Sequence, residues 1–405
     1  MQSLTGLTTN STKHQDSPLK ILLFCDASNF HHCLAEGLRR KGQKVVVASD
    51  GNRWMDTERD IDLGRIFDNK LGGALLWIKT LRLLQTSLAG FDIVSISNPT
   101  FPFLKPSRMQ RVLKLLKKNN RHLFVNALGP DSFYVDSCLN NRSNLRYSEW
   151  FVEGKPTEFY LKNNREIQNW NDPPLKSLYY DLYCSSVGTT TILYEYDRIW
   201  KTFLEDESIG YTGIPIDIEA IKPLSLPDKP EKVKLFLGYK REHMLEKGTD
   251  RIMAAAKRVA EKYPDKCSLE IVENIPYKEY LDRMKNAHVV LDQLYSYTPA
   301  TNALLAMAYG LNTLSGGEQE FYDFIGEQEL RPVINAVPDD ETLFATLVDV
   351  VNHPERIKVR GLQGREFVER HHNLEFIADR YLEFWRRRID KPLQKFKPEY
   401  DQSPS

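Results

Sequence analysis

Eleven residues near the middle of this 405-residue chain, Lys222 to Lys232 (KPLSLPDKPEK), hold three prolines and show no hydrophobic period. Proline fixes its own φ and lacks an N–H, so such a stretch continues neither a helix nor an inner strand. On each side of it the same pattern starts afresh. Before it come the apolar run Lys20–Cys25, a helix Phe30–Lys41 closed by Gly42, and the run Lys44–Ala48. A helix Ala74–Ala89, a strand Asp92–Ser97, a helix Ser107–Asn119 and a strand His122–Asn126 continue the series. After it come a strand Val233–Leu237, a helix Thr249–Tyr263, a strand Ser268–Val272 and a helix Tyr277–Asn286. Strands that alternate with helices build parallel sheets. The pattern predicts an α/β protein of two αβα domains, residues 19–212 and 233–390, joined by residues 213–232. A cleft between the carboxyl ends of the two sheets is the expected ligand site.

Three regions depart from the alternation. Residues 140–174 are polar and rich in Asn and aromatic residues, and read as an irregular insertion beside the cleft. Gly188 to Glu205 reads as mostly helical. The ends, residues 1–18 and 391–405, are polar and read as disordered. Helices Asp340–Asn352, Pro354–His371 and Leu374–Arg388 close the second domain, and the last is long enough to pack back on the first.

Bulk properties exclude several classes of function. Lys and Arg together match Asp and Glu in number, so the formal net charge is zero, which argues against a general nucleic-acid binder. The five cysteines (Cys25, Cys33, Cys138, Cys184 and Cys267) are scattered and form no CxxC pair. That usage fits a reducing cytoplasm and gives no zinc site. No apolar run approaches the length of a membrane span or a signal peptide. The expected location is therefore cytoplasmic, at most peripheral to the inner membrane.

Two segments of the second domain bear on phosphate chemistry. In His288 to Glu320, an apolar run His288–Leu294 leads through Thr298-Pro299 into a helix Pro299–Tyr309 closed by Gly310. Thr298 is placed as the N-cap and Pro299 as the first helical residue. A helix N-terminus at the carboxyl end of a strand binds phosphates through free N–H groups and the helix dipole, although most capped helices bind nothing. The second segment, Gly238 to Asp250 (GYKREHMLEKGTD), follows the first strand of that domain and holds Lys240, Arg241 and Lys247. Arg can fork two phosphate oxygens and Lys adds a point charge, or the loop is simply solvated.

Together, GYKREHMLEKGTD, ALLAMAYG and SGGEQE resemble the donor-binding half of a GT-B glycosyltransferase, of the retaining family four. The resemblance implies two Rossmann-like domains across a cleft and a nucleotide-diphosphate sugar as donor substrate, with no cofactor and no metal. It implies that Arg241 and Lys247 bind the diphosphate and that Glu320 matches the Glu of the Gly-Gly-x-x-Glu turn. The family also carries two glutamates eight residues apart; this chain has Tyr297 and Leu305 there. The carboxylate role passes on this reading to Asp292, Glu318 or Glu320, with Glu318 placed as catalytic and Tyr297, Thr298 and Asn302 at the donor. Asn302 equally suits a solvated helix position. The run Asp292 to Pro299 resembles a subgroup of bacterial surface-polysaccharide transferases.

In the first domain, Asp131 after Leu128-Gly129-Pro130 is placed either as a base or acceptor ligand or as a turn residue. Cys25 to Asn29 joins the first strand to its helix without the glycines usual for the family. Asp60-Ile61-Asp62 has the letters of a metal motif but sits in a charged run and reads as a surface turn. The adjacent pairs His31-His32 and His371-His372 point too far apart on helices to share a metal. Helix Ser107–Asn119 and its flanks carry Lys105, Arg108, Arg111, Lys114, Lys117, Lys118 and Arg121 opposite an apolar stripe. That face suits either an anionic membrane with its lipid-linked acceptors or bulk water. The expectation is a metal-independent glycosyltransferase that adds a sugar to a glycan or lipid-linked acceptor of a surface polysaccharide. A non-catalytic nucleotide-binding or partner subunit is the alternative. A nicotinamide oxidoreductase is disfavoured because no GxGxxG follows the first strand.

Overall fold

The computed structural model describes residues 17–51, 55–98 and 104–400, so residues 1–16 and 401–405 of the expected disordered ends lie outside the described residues. The strands in chain order are β1 Lys20–Phe24, β2 Lys44–Ser49, β3 Ile61–Asp62, β4 Ile93–Asn98 and β5 His122–Ala127. A short hairpin, β6 Phe151–Val152 and β7 Lys155–Pro156, precedes β8 Gly188–Thr191 and β9 Ile209–Tyr211. The second domain contributes β10 Val233–Tyr239, β11 Cys267–Glu273, β12 Val289–Leu291, β13 Asn312–Ser315 and β14 Ile334–Asn335.

Among the described residues the first domain has a seven-stranded sheet, ordered β3-β2-β1-β4-β5-β8-β9, and the second a five-stranded one, ordered β11-β10-β12-β13-β14. All neighbours in both sheets run parallel, with Ile21 opposite Val45 on one side and Ile93 on the other. Helices cover both faces of such sheets, which is why the strands read as unbroken apolar runs. Both sheets reverse their winding beside their first strand, β1 or β10. In open parallel sheets that switch point opens the crevice where ligands bind.

The domains are joined by packing as well as by the linker. One apolar cluster runs through both, from Phe30, Leu34 and Ile377 to Met307 and Phe321. Helix Leu374–Arg388 returns to the first domain, as expected from its length. It lies so close to helix Phe30–Arg40 that a Cβ on Gly37 would stand 2.4 Å from the Leu374 carbonyl. Phe384 fills the space over Gly188 and Gly210, and the Arg388 guanidinium donates to the Val187 carbonyl.

Four expectations are corrected. Gly188–Thr191 is an inner strand rather than the start of a helix, because its three threonines are β-branched and pack between β5 and β9. Helix Tyr194–Phe203 follows it. Residues 140–174 are ordered by the hairpin, by short helices and by the buried rings of Trp150 and Phe159, which tilt together at 4.7 Å. Tail residues 391–400 lie along the first domain: Gln394 and Phe396 are buried, and the Lys397 N–H donates to the Phe203 carbonyl. The helix after β12 begins at Thr301 rather than at Pro299.

Candidate functional site

The loops at the carboxyl ends of both sheets enclose a cavity of about 200 Å³. The first domain lines it with Ala27 and Ser28 after β1, Leu128 and Pro130 after β5, and Leu193 and Glu195 after β8. Glu149 joins them from the segment before the hairpin. The second domain supplies Glu246 and Lys247 after β10, and Gln293, Ser296 and Thr301 after β12.

The helix end at this cavity is open. Helix Thr301–Ala308 has Ala300 at its N-cap, with no side-chain cap, and both Ala300 and Thr301 face the cavity. The first turn of an uncapped helix presents N–H groups without intrahelical partners. Thr298, the expected cap, is turned elsewhere: its hydroxyl donates to Glu195 Oε2 at 2.7 Å and accepts from the Tyr194 N–H. Lys247 stands beside this helix end, held by the bond from the Leu294 N–H to the Lys247 carbonyl.

The carboxyls are unequal. Glu149 is buried and receives a bond from the Tyr134 hydroxyl at 3.0 Å. Burial, reinforced by the charges of Glu246 and Glu195, pushes its carboxyl up to about 8, so it is mostly protonated at neutral pH. Glu195 is also pushed up by burial, but three donors from the facing domain hold it: the Ser296 and Thr298 hydroxyls and the Tyr297 N–H. Glu246 contacts His243 Nδ1 at 2.6 Å. Asp26, next to Ala27 in sequence, is raised by burial to about 7; one of its oxygens accepts from the Ala27 and His31 N–H groups, and the other is buried without a partner. The same loop places Cys25, Ser28 and Asn29 at φ 63, 53 and 64, the left-handed region that favours glycine. Non-glycine residues here keep a glycine-like loop path under strain.

A clamp closes one side of the cleft. Arg146 donates to Glu318 and to Glu320, each at 2.9 Å, and the Tyr147 hydroxyl donates to Glu318 at 2.7 Å. The Tyr147 and Tyr297 rings stack with centroids 4.5 Å apart, and the Tyr297 hydroxyl accepts from the Arg146 and Tyr147 N–H groups. Burial alone would raise Glu318, but the bonds from Tyr147 and Arg146 outweigh it and hold the carboxyl below its ordinary value. Gly316 permits this path, because a Cβ there would meet the Ser296 carbonyl at 2.2 Å.

Of the catalytic and donor-binding residues expected from sequence, only Lys247 lines the cavity; Ala27 and Ser28 of the loop after β1, and Leu128 and Pro130 beside Asp131, line it too. Tyr297, Glu318 and Glu320 belong to the clamp, and Thr298 to the Glu195 contact. Arg241 is exposed and forks Glu273, at 2.7 and 3.0 Å. Asn302 is half-buried and does not line the cavity: it donates to Asp292 and accepts from the Tyr280 hydroxyl. Asp131 is fully buried and caps helix Ser132–Leu139, accepting from the Phe133 and Tyr134 N–H groups, Asn98 and Tyr183. Both of its oxygens are engaged, and the N-cap contact is the turn role expected for it. Asp60 and Asp62 are tied to Arg39 and to Arg59 and Lys79 at a sheet edge. Among the described residues no three metal-ligating side chains cluster. Glu149, Glu195 and Arg146 escaped the sequence reading, since nothing local distinguishes them from other charged residues; the threonine run before Glu195 was the one usable signal.

No protein-family model matches the chain, and no curated protein matches it by sequence. Solved structures do match. Sucrose-phosphate synthase from Thermosynechococcus elongatus aligns over 91% of this chain and 98% of its own, at 13% identity and a TM-score of 0.57. The catalytic domain of starch synthase IV from Arabidopsis thaliana, bound to ADP and acarbose, aligns over 93% and 100%, at 11% identity and 0.55. Anabaena HepE, in complex with UDP and glucose, aligns over 90% and 98%, at 10% identity and 0.51. At such identities the likeness establishes architecture alone. The chain therefore has the GT-B fold, two Rossmann-like domains facing across the cleft that holds Lys247.

Proposed function

We propose that the protein is a glycosyltransferase moving a sugar from a nucleotide-diphosphate donor to a glycan or lipid-linked acceptor in surface-polysaccharide synthesis. Transfer proceeds with retention and without metal, on the cytoplasmic side of the inner membrane, which helix Ser107–Asn119 touches through its basic face. The observation that carries this reading is the uncapped start of helix Thr301–Ala308 at the cavity, beside Lys247. A diphosphate there accepts from the free N–H groups, and Lys247 adds its charge. The bond from the anomeric carbon to the diphosphate oxygen breaks, and the acceptor oxygen bonds to that carbon. The proton of the acceptor hydroxyl passes to a cleft oxygen or to water. The helix end and Lys247 stabilise the charge that grows on the leaving diphosphate, so no protein nucleophile is needed. Arg241, on the same loop as Lys247, joins the diphosphate when Glu273 releases it.

The cavity of about 200 Å³ is smaller than the roughly 300 Å³ at which small-molecule pockets begin. Donor entry therefore requires the halves to part, and the Arg146 and Glu195 contacts to break and re-form. Glu318 and Glu320 act in that closure. The test is thermal-shift and turnover screening against UDP-, GDP- and other nucleotide sugars, with and without EDTA. The proposal requires stabilisation and sugar transfer that survive EDTA and are lost in Lys247→Ala; no stabilisation by any nucleotide overturns it. The non-catalytic reading is favoured by Tyr297 and Leu305 at the two family glutamate positions, and it requires nucleotide stabilisation with no turnover.

A further inference from the structure

Large apolar side chains are unevenly exposed on this molecule. Ile66 (71%), Phe67 (49%), Leu71 (59%), Leu75 (37%) and Ile78 (49%) are half of all the strongly exposed ones among the described residues. They lie on helix Lys70–Leu83 and the turn before it. Leu71, Leu75 and Ile78 follow the i, i+4, i+7 spacing of one helix face. This face is built rather than frayed. Asn69 caps the helix through the Gly72 N–H at 3.0 Å, and Gly72 lets the Phe67 carbonyl pass where a Cβ would stand 1.9 Å away. Gly72, Leu76 and Thr80 turn inward, leaving the apolar face outside.

Beside it lies helix Pro106–Asn119, which buries Met109, Val112, Leu113 and Leu116 and exposes Arg111, Lys114, Lys117 and Lys118. The two helices meet where the Arg108 and Arg111 guanidinium groups stand 5.4 and 5.9 Å from the centre of the Trp77 ring. Arg65–Arg82 and Lys105–Arg121 together hold eleven Lys or Arg and one carboxylate, Asp68, in a chain of zero net charge. In a parallel sheet each helix starts at the carboxyl end of the preceding strand. The N-terminal turns of both helices, following β3 and β4, therefore lie on the carboxyl-end side of the sheet, as the cavity does.

We propose that the face Ile66–Phe67–Leu71–Leu75–Ile78 inserts into the surface of an anionic lipid bilayer, with the cations of helix Pro106–Asn119 seated on its headgroups. The proposal rests on the membrane contact in the functional reading above and deepens it: an apolar wedge holds the protein in the membrane, where basic charge alone would only attract it. Apolar area set among cations is the combination that binds anionic interfaces, and it orients the cleft toward a lipid-linked acceptor.

The test is sedimentation of the full chain with vesicles of phosphatidylcholine alone and with added phosphatidylglycerol, at low and moderate salt. Wild type is expected to bind the anionic vesicles. The variant Leu71→Ser/Leu75→Ser/Ile78→Ser is expected to bind about tenfold more weakly, with the deficit persisting at low salt. Arg108→Gln/Arg111→Gln/Lys114→Gln is expected to lose on the order of a hundredfold, at ~1 kcal/mol per charge. Because the serines replace exposed residues, the melting temperature and nucleotide-sugar turnover in solution should stay unchanged. Three results overturn the proposal. If wild type binds no vesicle, membrane contact itself fails. If the serine variant binds like wild type while the glutamine variant does not, the basic helix suffices and the wedge fails. If wild type is a dimer in solution and the serine variant a monomer, the face is an interface between copies.

Discussion

On the N-terminal side of the cleft the loops present carboxyls: Glu195 after β8 and Glu149 from the neighbouring segment. On the C-terminal side they present Lys247, with Glu246 beside it, and the open start of helix Thr301–Ala308. The two sheets share a winding rule, yet their loops are differently equipped. The second domain offers a diphosphate a cation and a helix dipole, whereas the first offers a neutral Glu149 and a Glu195 already engaged by three donors. On the function proposed above, the donor belongs to the second domain and the hydroxyl that loses a proton to the first.

The comparison is broken most directly at Lys247. Lys247→Ala should lower sugar transfer about a hundredfold, the usual loss for one group stabilising a leaving charge, and abolish thermal stabilisation by nucleotides. Unchanged turnover would remove the diphosphate from the second domain. Next in size is Arg146→Ala, which leaves Glu318 buried without its cation, held by Tyr147 and Asn335. The expected loss is about 2 kcal/mol, read as a lower melting temperature, and less than for a fully buried pair because half of the Arg146 side chain is exposed. Glu318 is held below its ordinary value of 4.5, so the stability it contributes is present at neutral pH and is lost as the pH falls through its folded value. The same melt in Glu318→Gln should show a weaker acid dependence.

Glu149 runs the other way. Its folded value near 8 exceeds its ordinary 4.5, so the stability of the neutral carboxyl is complete below 4.5 and is lost as the pH rises through 8. Glu149→Gln should therefore melt higher than wild type at pH 8.5, with the difference vanishing near pH 4. If Glu149 receives the acceptor proton, the wild-type rate also rises toward pH 8 and the Gln variant loses that limb. The smallest expected effect is Arg241→Ala, which should leave the melting temperature unchanged, since its pair with Glu273 is exposed and solvent-screened. A rise in donor KM without a fall in melting temperature would place Arg241 on the diphosphate, and no change would confine it to Glu273.

The alternating pattern was legible because parallel strands are buried on both faces and need unbroken apolar runs, as in Lys20–Phe24 and Val289–Leu291. Lys247 was legible because it follows such a strand. The tail around Phe396 was not: its polar composition reads as disorder, and only the groove of the first domain gives Gln394 and Phe396 something to pack against. Thr298 has the letters of a helix cap. A carboxylate from the other domain, Glu195, offers its hydroxyl a stronger partner, and that contact lies 103 residues away in sequence.

By itself, then, the sequence determined that two α/β domains with parallel sheets flank a proline-rich linker, and it marked the loop that bears Lys247, because periodicity and punctuation act over a few residues. Tertiary structure alone decided that Arg146 grips Glu318 and Glu320, that Glu149 is desolvated enough to keep its proton, and that the helix at Thr301 stays uncapped. Each of those depends on which groups from distant segments exclude water from one another, and burial is a property of the assembled cleft rather than of any stretch of chain.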